Sequence, residues 1–152
     1  MEEAPYPAIN RVINSEIIHQ YFGYWPNFHD AEVIKVTFET HITGRYSVTF
    51  VIEAFEMLAE VDAQGFYKQA KQCLIEIQFS GVEEIDFKYF NFQNVLFEFW
   101  FEEQGSLIKG IFNSSTGMEA TVVAEEALVL SLAPIKSVTK RGSRGGAQPL
   151  GY

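Results

Sequence analysis

Apolar and polar residues alternate with period two in four separate stretches of this chain, the rhythm of strands with one buried face. Ile34, Val36 and Phe38 alternate with Lys35, Thr37 and Glu39, and Val48, Phe50, Ile52 and Ala54 alternate with Thr49 and Glu53. Ile75, Ile77 and Phe79 alternate with Glu76 and Gln78, and Val95, Phe97, Phe99 and Phe101 alternate with Glu98 and Glu102. Segments 107–112, 119–125 and 127–135 read as further strands. "HITGRY" (41–46) and "EQGS" (103–106) hold the glycine that a tight hairpin turn needs. Residues 62–72 fit either a long hairpin tip or a short helix.

Only the N-terminal part breaks this rhythm. Ile9, Val12, Ile13, Ile17 and Tyr21 fall on one helical face. Ser15 is placed to cap a short helix over 15–22, Gly23 to stop it, and Pro26 to bar its continuation. Strands joined by short turns, without a βαβ rhythm or a fixed repeat, argue for an α+β fold. The expected architecture is a mostly antiparallel sheet with an N-terminal helix packed on it, formed by residues 1–138 as one domain. An open sheet of this kind has edges, so a homodimer paired across a two-fold axis is compatible with it. "TKRGSRGGAQPLGY" (139–152) is basic and glycine-rich and reads as a flexible tail.

Composition narrows the function classes. A hydrophobic fraction of 47% and an aromatic fraction of 15% exclude a wholly disordered chain of 152 residues. Cys73 is the lone cysteine, so no internal disulfide forms and nothing points to an oxidising compartment. "MEEAPYPAIN" lacks the basic and apolar regions of a signal peptide. No apolar run approaches the roughly 18 residues that span a bilayer. A soluble cytoplasmic protein that engages no membrane is the expectation. All 20 acidic residues but only 7 of the 11 basic ones precede residue 136, leaving a net charge of −13 there. Such a body repels phosphate backbones, which argues against nucleic acid, and attracts basic proteins. An acidic surface also simply keeps a protein soluble.

The densest polar cluster is "WPNFHDAEV" (25–33), with His29, Asp30 and Glu32 just before a strand. On a strand, Asp30 and Glu32 would share a face and His29 would point away. His19 and His41 fall on a helix and in a turn, and no HxH, HExxH or CxxC spacing exists, so no metal and no cofactor is expected. A histidine beside a carboxylate suits base catalysis, but adjacent residues orient each other poorly and no GxSxG motif supplies a nucleophile. The plainer role for His29 and Asp30 is to hydrogen-bond backbone where the helix hands the chain to the sheet. In "YFNFQNVLFEFWF" (89–101), Asn91, Gln93 and Asn94 are expected to satisfy backbone groups at a strand start. Strict alternation there puts Trp100 on the face of Leu96 and Glu98, opposite Phe97, Phe99 and Phe101.

These two stretches together resemble the immunity protein 50 family of bacterial polymorphic toxin systems. Gly23, Trp25, Pro26, Phe28, His29, Asp30, Ala31 and Glu32 carry the first block, and Asn91, Gln93, Asn94 and Val95 the second. The blocks cover about a quarter of the chain and their spacing also fits.

The resemblance implies a non-enzymatic cytoplasmic protein that binds and neutralises a cognate toxin by occlusion. From charge, that toxin is expected to be basic. Trp25, Asp30, Glu32, Glu98, Trp100 and Glu102 are the expected contact residues, as aromatic anchors with an acidic rim. Charge reversal at Glu98 and Glu102 is then expected to slow association at low salt. Two rival readings stand beside this one. A small enzyme would use His29 with Asp30 or Glu32 in a cleft, and a small-ligand carrier would need a phenylalanine-lined cavity of about 300 Å³ or more.

Overall fold

The computed structural model describes residues 7–135, so the tail expected at 139–152 lies outside the described residues. A 3-10 helix, Pro7–Arg11, leads into α1, Glu16–Phe22. Ser15 sits at the N-cap position but makes no side-chain cap bond. Gly23 ends α1 as expected: at φ +88° it turns left-handed and donates its N–H to the His19 carbonyl. The stretch before α1 is thus not one continuous helix with it.

Six strands come after α1: β1 Glu32–Thr40, β2 Tyr46–Val61, β3 Tyr67–Lys88, β4 Leu96–Gln104, β5 Leu107–Ser114 and β6 Glu119–Pro134. All pair antiparallel in one sheet of order β1-β2-β3-β6-β5-β4, as the α+β expectation had it. Residues 62–66 are the turn of the β2–β3 hairpin, and strand begins again at Tyr67, so the short-helix alternative fails. Segments 119–125 and 127–135 are not two strands: β6 runs through both to Pro134.

The sheet curls until its two outermost strands meet. Glu32 of β1 bridges Val95 just before β4, the Val33 N–H reaches the Asn94 carbonyl at 3.0 Å, and the Leu96 N–H reaches the Ala31 carbonyl at 2.7 Å. The core fills the concave side. Phe112 stacks on Phe99 at 4.1 Å and on Phe50 at 4.2 Å between ring centroids, and Phe79 meets Phe50 edge-on. Gly110 gives the Phe79 ring the space that a side chain there would take. Ile18 and Phe22 of α1 join the same core, with Ile9 and Val12 before it. Ile13 is held at β6 by two backbone bonds, to the Ala127 carbonyl and from the Val129 N–H, both 2.9 Å. From Lys35 to Thr40 the outer edge of β1 has no strand beside it among the described residues.

Two bulges correct the alternation read from the sequence. One lies between Val33 and Lys35: Val33 turns fully inward and Ile34, expected on the buried face, stands about half exposed, whereas Phe38 keeps the inward register opposite Val48 and is half exposed near the end of this edge strand. The other lies between Leu96 and Glu98, so Leu96 joins Phe99 and Phe101 inside while Phe97 is 53% exposed. Trp100 therefore does not share a face with Leu96.

Cys73 is fully buried, and desolvation pushes its thiol up from an ordinary 9.0 to about 12. Because the folded thiol holds its proton more tightly than the unfolded one, its contribution to stability is intact below pH 9.0 and is lost as pH rises through about 12. A thiol reagent at neutral pH is expected to label Cys73 at the rate of unfolding. Rapid labelling of the native protein, at the rate of a free thiol in urea, would contradict this packing.

Candidate functional site

The two motif blocks are about 60 residues apart in sequence and adjacent in space. The left-handed backbone of Phe28 (φ 65°) and Asp30 (φ 69°) folds the 23–31 connection back along the start of β4. The Asp30 N–H then bonds the Leu96 carbonyl at 2.9 Å, and the Phe99 N–H bonds the Asn27 carbonyl at 3.4 Å. His29 Nδ1 donates to the Phe97 carbonyl at 3.0 Å, while its Nε2 stands 3.6 Å from Asp30 Oδ1. His29 thus ties backbone as expected, but across to β4 rather than within the helix-to-strand connection. Asp30 does so through its own N–H rather than its carboxylate.

The second block is built around Asn94, whose side chain is buried with all its hydrogen-bonding capacity engaged. Its Oδ1 accepts the N–H of Asn91 at 2.9 Å and of Met118 at 3.1 Å. Its Nδ2 donates to the carbonyls of Asn91 at 2.7 Å and Val33 at 3.4 Å. One amide thus joins β1, the 89–94 loop and the segment before β6. Gly117 has to be a glycine here, because a Cβ would lie 2.5 Å from Asn94 Oδ1 and 2.6 Å from the Gln93 carbonyl. Asn91 Oδ1 accepts the Gln93 N–H at 2.7 Å, and Asn91 Nδ2 reaches the carbonyls of Tyr89 and Thr116. Gln93 takes part through its backbone, its carbonyl accepting from Thr116 Oγ1. The strand-start role expected for the three residues holds, with Gln93 supplying main chain only.

Along this seam run three contiguous grooves. The first, about 510 Å³, is lined by the 24–29 segment with Phe55, Glu56 and Met57. The second, about 270 Å³, shares Phe55 and Met57 with it and adds Asp30, Glu32 and Glu53. The third, about 380 Å³, shares Glu32 and Glu53 and ends on Ile34, Phe90 and Phe92. Four carboxylates border the run, and no Lys or Arg lines it among the described residues. Glu56 is held at one end by the Tyr24 hydroxyl at 3.1 Å and by Lys71 Nζ at 3.5 Å. Burial, then the bond to Glu56 and its charge, pushes the Tyr24 phenol up.

Trp25 is only 7% exposed and packs on Phe28 and Phe101, so it forms groove floor and is no protruding anchor. The most exposed aromatic in the groove linings is Phe92, 93% exposed on a loop bonded through Asn91 and Asn94. Sequence reading missed it. The signal was there in "NFQN", where paired asparagines mark a loop whose phenylalanine has no strand face to bury.

Glu98, Trp100 and Glu102 share the outer face of β4 and line none of these three grooves. Trp100 Nε1 donates to Glu102 Oε2 at 2.9 Å, and Glu102 faces Lys109 in the β4–β5 register. The six expected contact residues thus divide between two places, and the carboxylate of Glu102 is already engaged.

His29 is exposed at the groove rim, but no Ser, Thr or Cys lines the three grooves among the described residues. No group of three or more His, Cys, Asp or Glu is placed to hold a metal among them. The core phenylalanines stack on one another, but the first and third grooves, about 510 and 380 Å³ with Phe28, Phe55, Phe90 and Phe92 in their linings, reach the volume a carrier needs. Among the described residues no helix is long and apolar enough to cross a membrane.

Comparison with curated proteins and with solved structures returns no match. The family model of immunity protein 50 matches residues 14–134, a span that contains both motif blocks, the seam and the grooves. This chain therefore belongs to the immunity protein 50 family.

Proposed function

We propose that this protein binds a cognate toxin in the bacterial cytoplasm and neutralises it by occlusion, using the groove run at the β1–β4 seam. The family supplies the class of partner. The observation that supports the place is the coincidence of the motif with the groove: Trp25, Pro26, Phe28, His29, Asp30, Glu32, Asn91 and Asn94 all line it. The acidic border suits a basic toxin, which it draws in at long range before short contacts form. Phe90 and Phe92 supply apolar area on a preformed loop, so little ordering entropy opposes docking.

The motif therefore serves two ends. Its backbone bonds close the sheet, and its side chains shape the surface beside the closure. The test is co-expression with each reading frame adjacent to the gene, to find one whose product arrests growth. The wild-type chain is expected to restore growth, and purified mixtures to elute as one complex. Unrestored growth, with both proteins expressed and soluble, would overturn the reading.

A further inference from the structure

The third groove has a composition of its own. Glu32 and Glu53 are direct partners in the β1–β2 register, so two carboxylates stand opposite each other on one face. Like charges so placed repel unless a cation sits between or beside them. Glu32 makes no ion pair among the described residues, whereas Glu53 takes part in a further interaction. Phe90, Phe92, Asn91 and Asn94 line the same slot. Phenylalanine rings and carboxylates in one lining match one side chain best. A guanidinium is planar, stacks on rings and forks onto a carboxylate, while an ammonium does only the last and as a point charge.

We propose that this slot between the start of β1 and the Phe90–Asn94 loop receives an arginine side chain of the toxin, stacked on Phe92 and paired with Glu32. This rests on the toxin-binding reading and names the chemistry of its central contact. The slot is about 380 Å³, ample for one such side chain and too small for a folded element. The bonds of Asn91 and Asn94 place the loop backbone before the partner arrives, and a planar cation gains more from ring and carboxylate together than a point charge does.

The probe is a capped Gly-Gly-Arg-Gly-Gly peptide, titrated into the isotope-labelled full chain and followed by amide shifts. Saturable shifts are expected at Glu32, Ile34 and Phe90–Asn94, and none with the citrulline peptide, which keeps the shape and lacks the charge. Phe92→Ala, at an exposed position, and Glu32→Gln, at a half-buried one, are each expected to weaken binding about tenfold. Absence of saturable shifts in the slot, equal shifts with citrulline, or shifts confined to the outer face of β4 would overturn the assignment. So would tighter peptide binding by a Lys140→Gln/Arg141→Gln/Arg144→Gln chain, because the protein's own cations would then be the occupant. The toxin reading is scored separately by growth. If the wild-type chain and Phe92→Ala protect equally, the slot fails and toxin binding stands. If the peptide binds but the wild-type chain gives no protection, toxin binding fails and the slot remains an arginine site.

Discussion

Asn94→Ala lowers the unfolding free energy by about 3 kcal/mol and the melting temperature by about 10 °C. The truncation removes one buried amide and strands four partners at once: the N–H groups of Asn91 and Met118 and the carbonyls of Asn91 and Val33. Nothing apolar replaces those bonds, and the cost of an unmet buried polar group exceeds the net gain of a met one. Asn94→Asp keeps the acceptor for two N–H groups but turns the other oxygen toward two carbonyls, so it recovers only part of the loss. Chemical denaturation followed by tryptophan fluorescence reads both variants. A change below about 1 kcal/mol for Asn94→Ala would show that the β1–β4 seam is held by packing and not by this amide.

Phe112→Ala costs still more, about 4 kcal/mol. Phe112 lies between Phe99 and Phe50, nearly parallel to Phe99 at an interplanar angle of 8°, with Phe79 at its edge. Those neighbours sit on β4, β2 and β3, so removal of the ring opens a cavity that no single strand can close by shifting. Phe112→Leu refills much of the space and is expected to lose less than half as much. Urea midpoints at unchanged slope give the numbers. A loss under about 1.5 kcal/mol for Phe112→Ala would mean that the core collapses around the site, contrary to the stacked geometry.

The strands were legible because alternation is a local property, and so was the glycine stop at Gly23. Single-residue bulges were not. Each inserts one residue and exchanges the faces of the residues beyond it, and nothing in "EVIKVTFE" or "NVLFEFW" marks where the insertion falls. Ile34 and Phe97 came out exposed for that reason, and Leu96 buried. The roles of Asn91 and Asn94 were readable, since polar amides at a strand start have backbone to satisfy. Their target was not, because Val33 is distant in sequence and meets Asn94 only once the sheet curls. The groove is non-local in the same sense. It is assembled from the 24–34, 53–57, 69–72 and 90–94 segments, and no window of sequence contains it. Trp25 illustrates the remaining gap: a tryptophan in a Trp-Pro turn reads equally as anchor or as floor until its neighbours, here Phe28 and Phe101, are known.

Two acidic surfaces are candidates for the proposed binding face, and their chemistry differs. On β4, Glu102 is tied to Trp100 Nε1 and faces Lys109, which softens the field of that patch. At the seam, Glu32 and Glu53 oppose each other beside exposed phenylalanines, and no cation lines the run among the described residues. Carboxylates without a cation in the groove lining, beside exposed phenylalanines, favour the seam as the proposed face.

The most direct measurement is the association rate with the toxin that the co-expression test identifies, at low and high salt, for two charge-reversal pairs. Asp30→Lys with Glu32→Lys is expected to slow association more than about tenfold at low salt, the difference shrinking as salt screens it. Glu98→Lys with Glu102→Lys is expected to slow it by about threefold or less, as the general loss of negative charge dictates. The reverse order, with the β4 pair dominant and the seam pair near wild type, would contradict the groove and move the binding face to the outer side of the sheet.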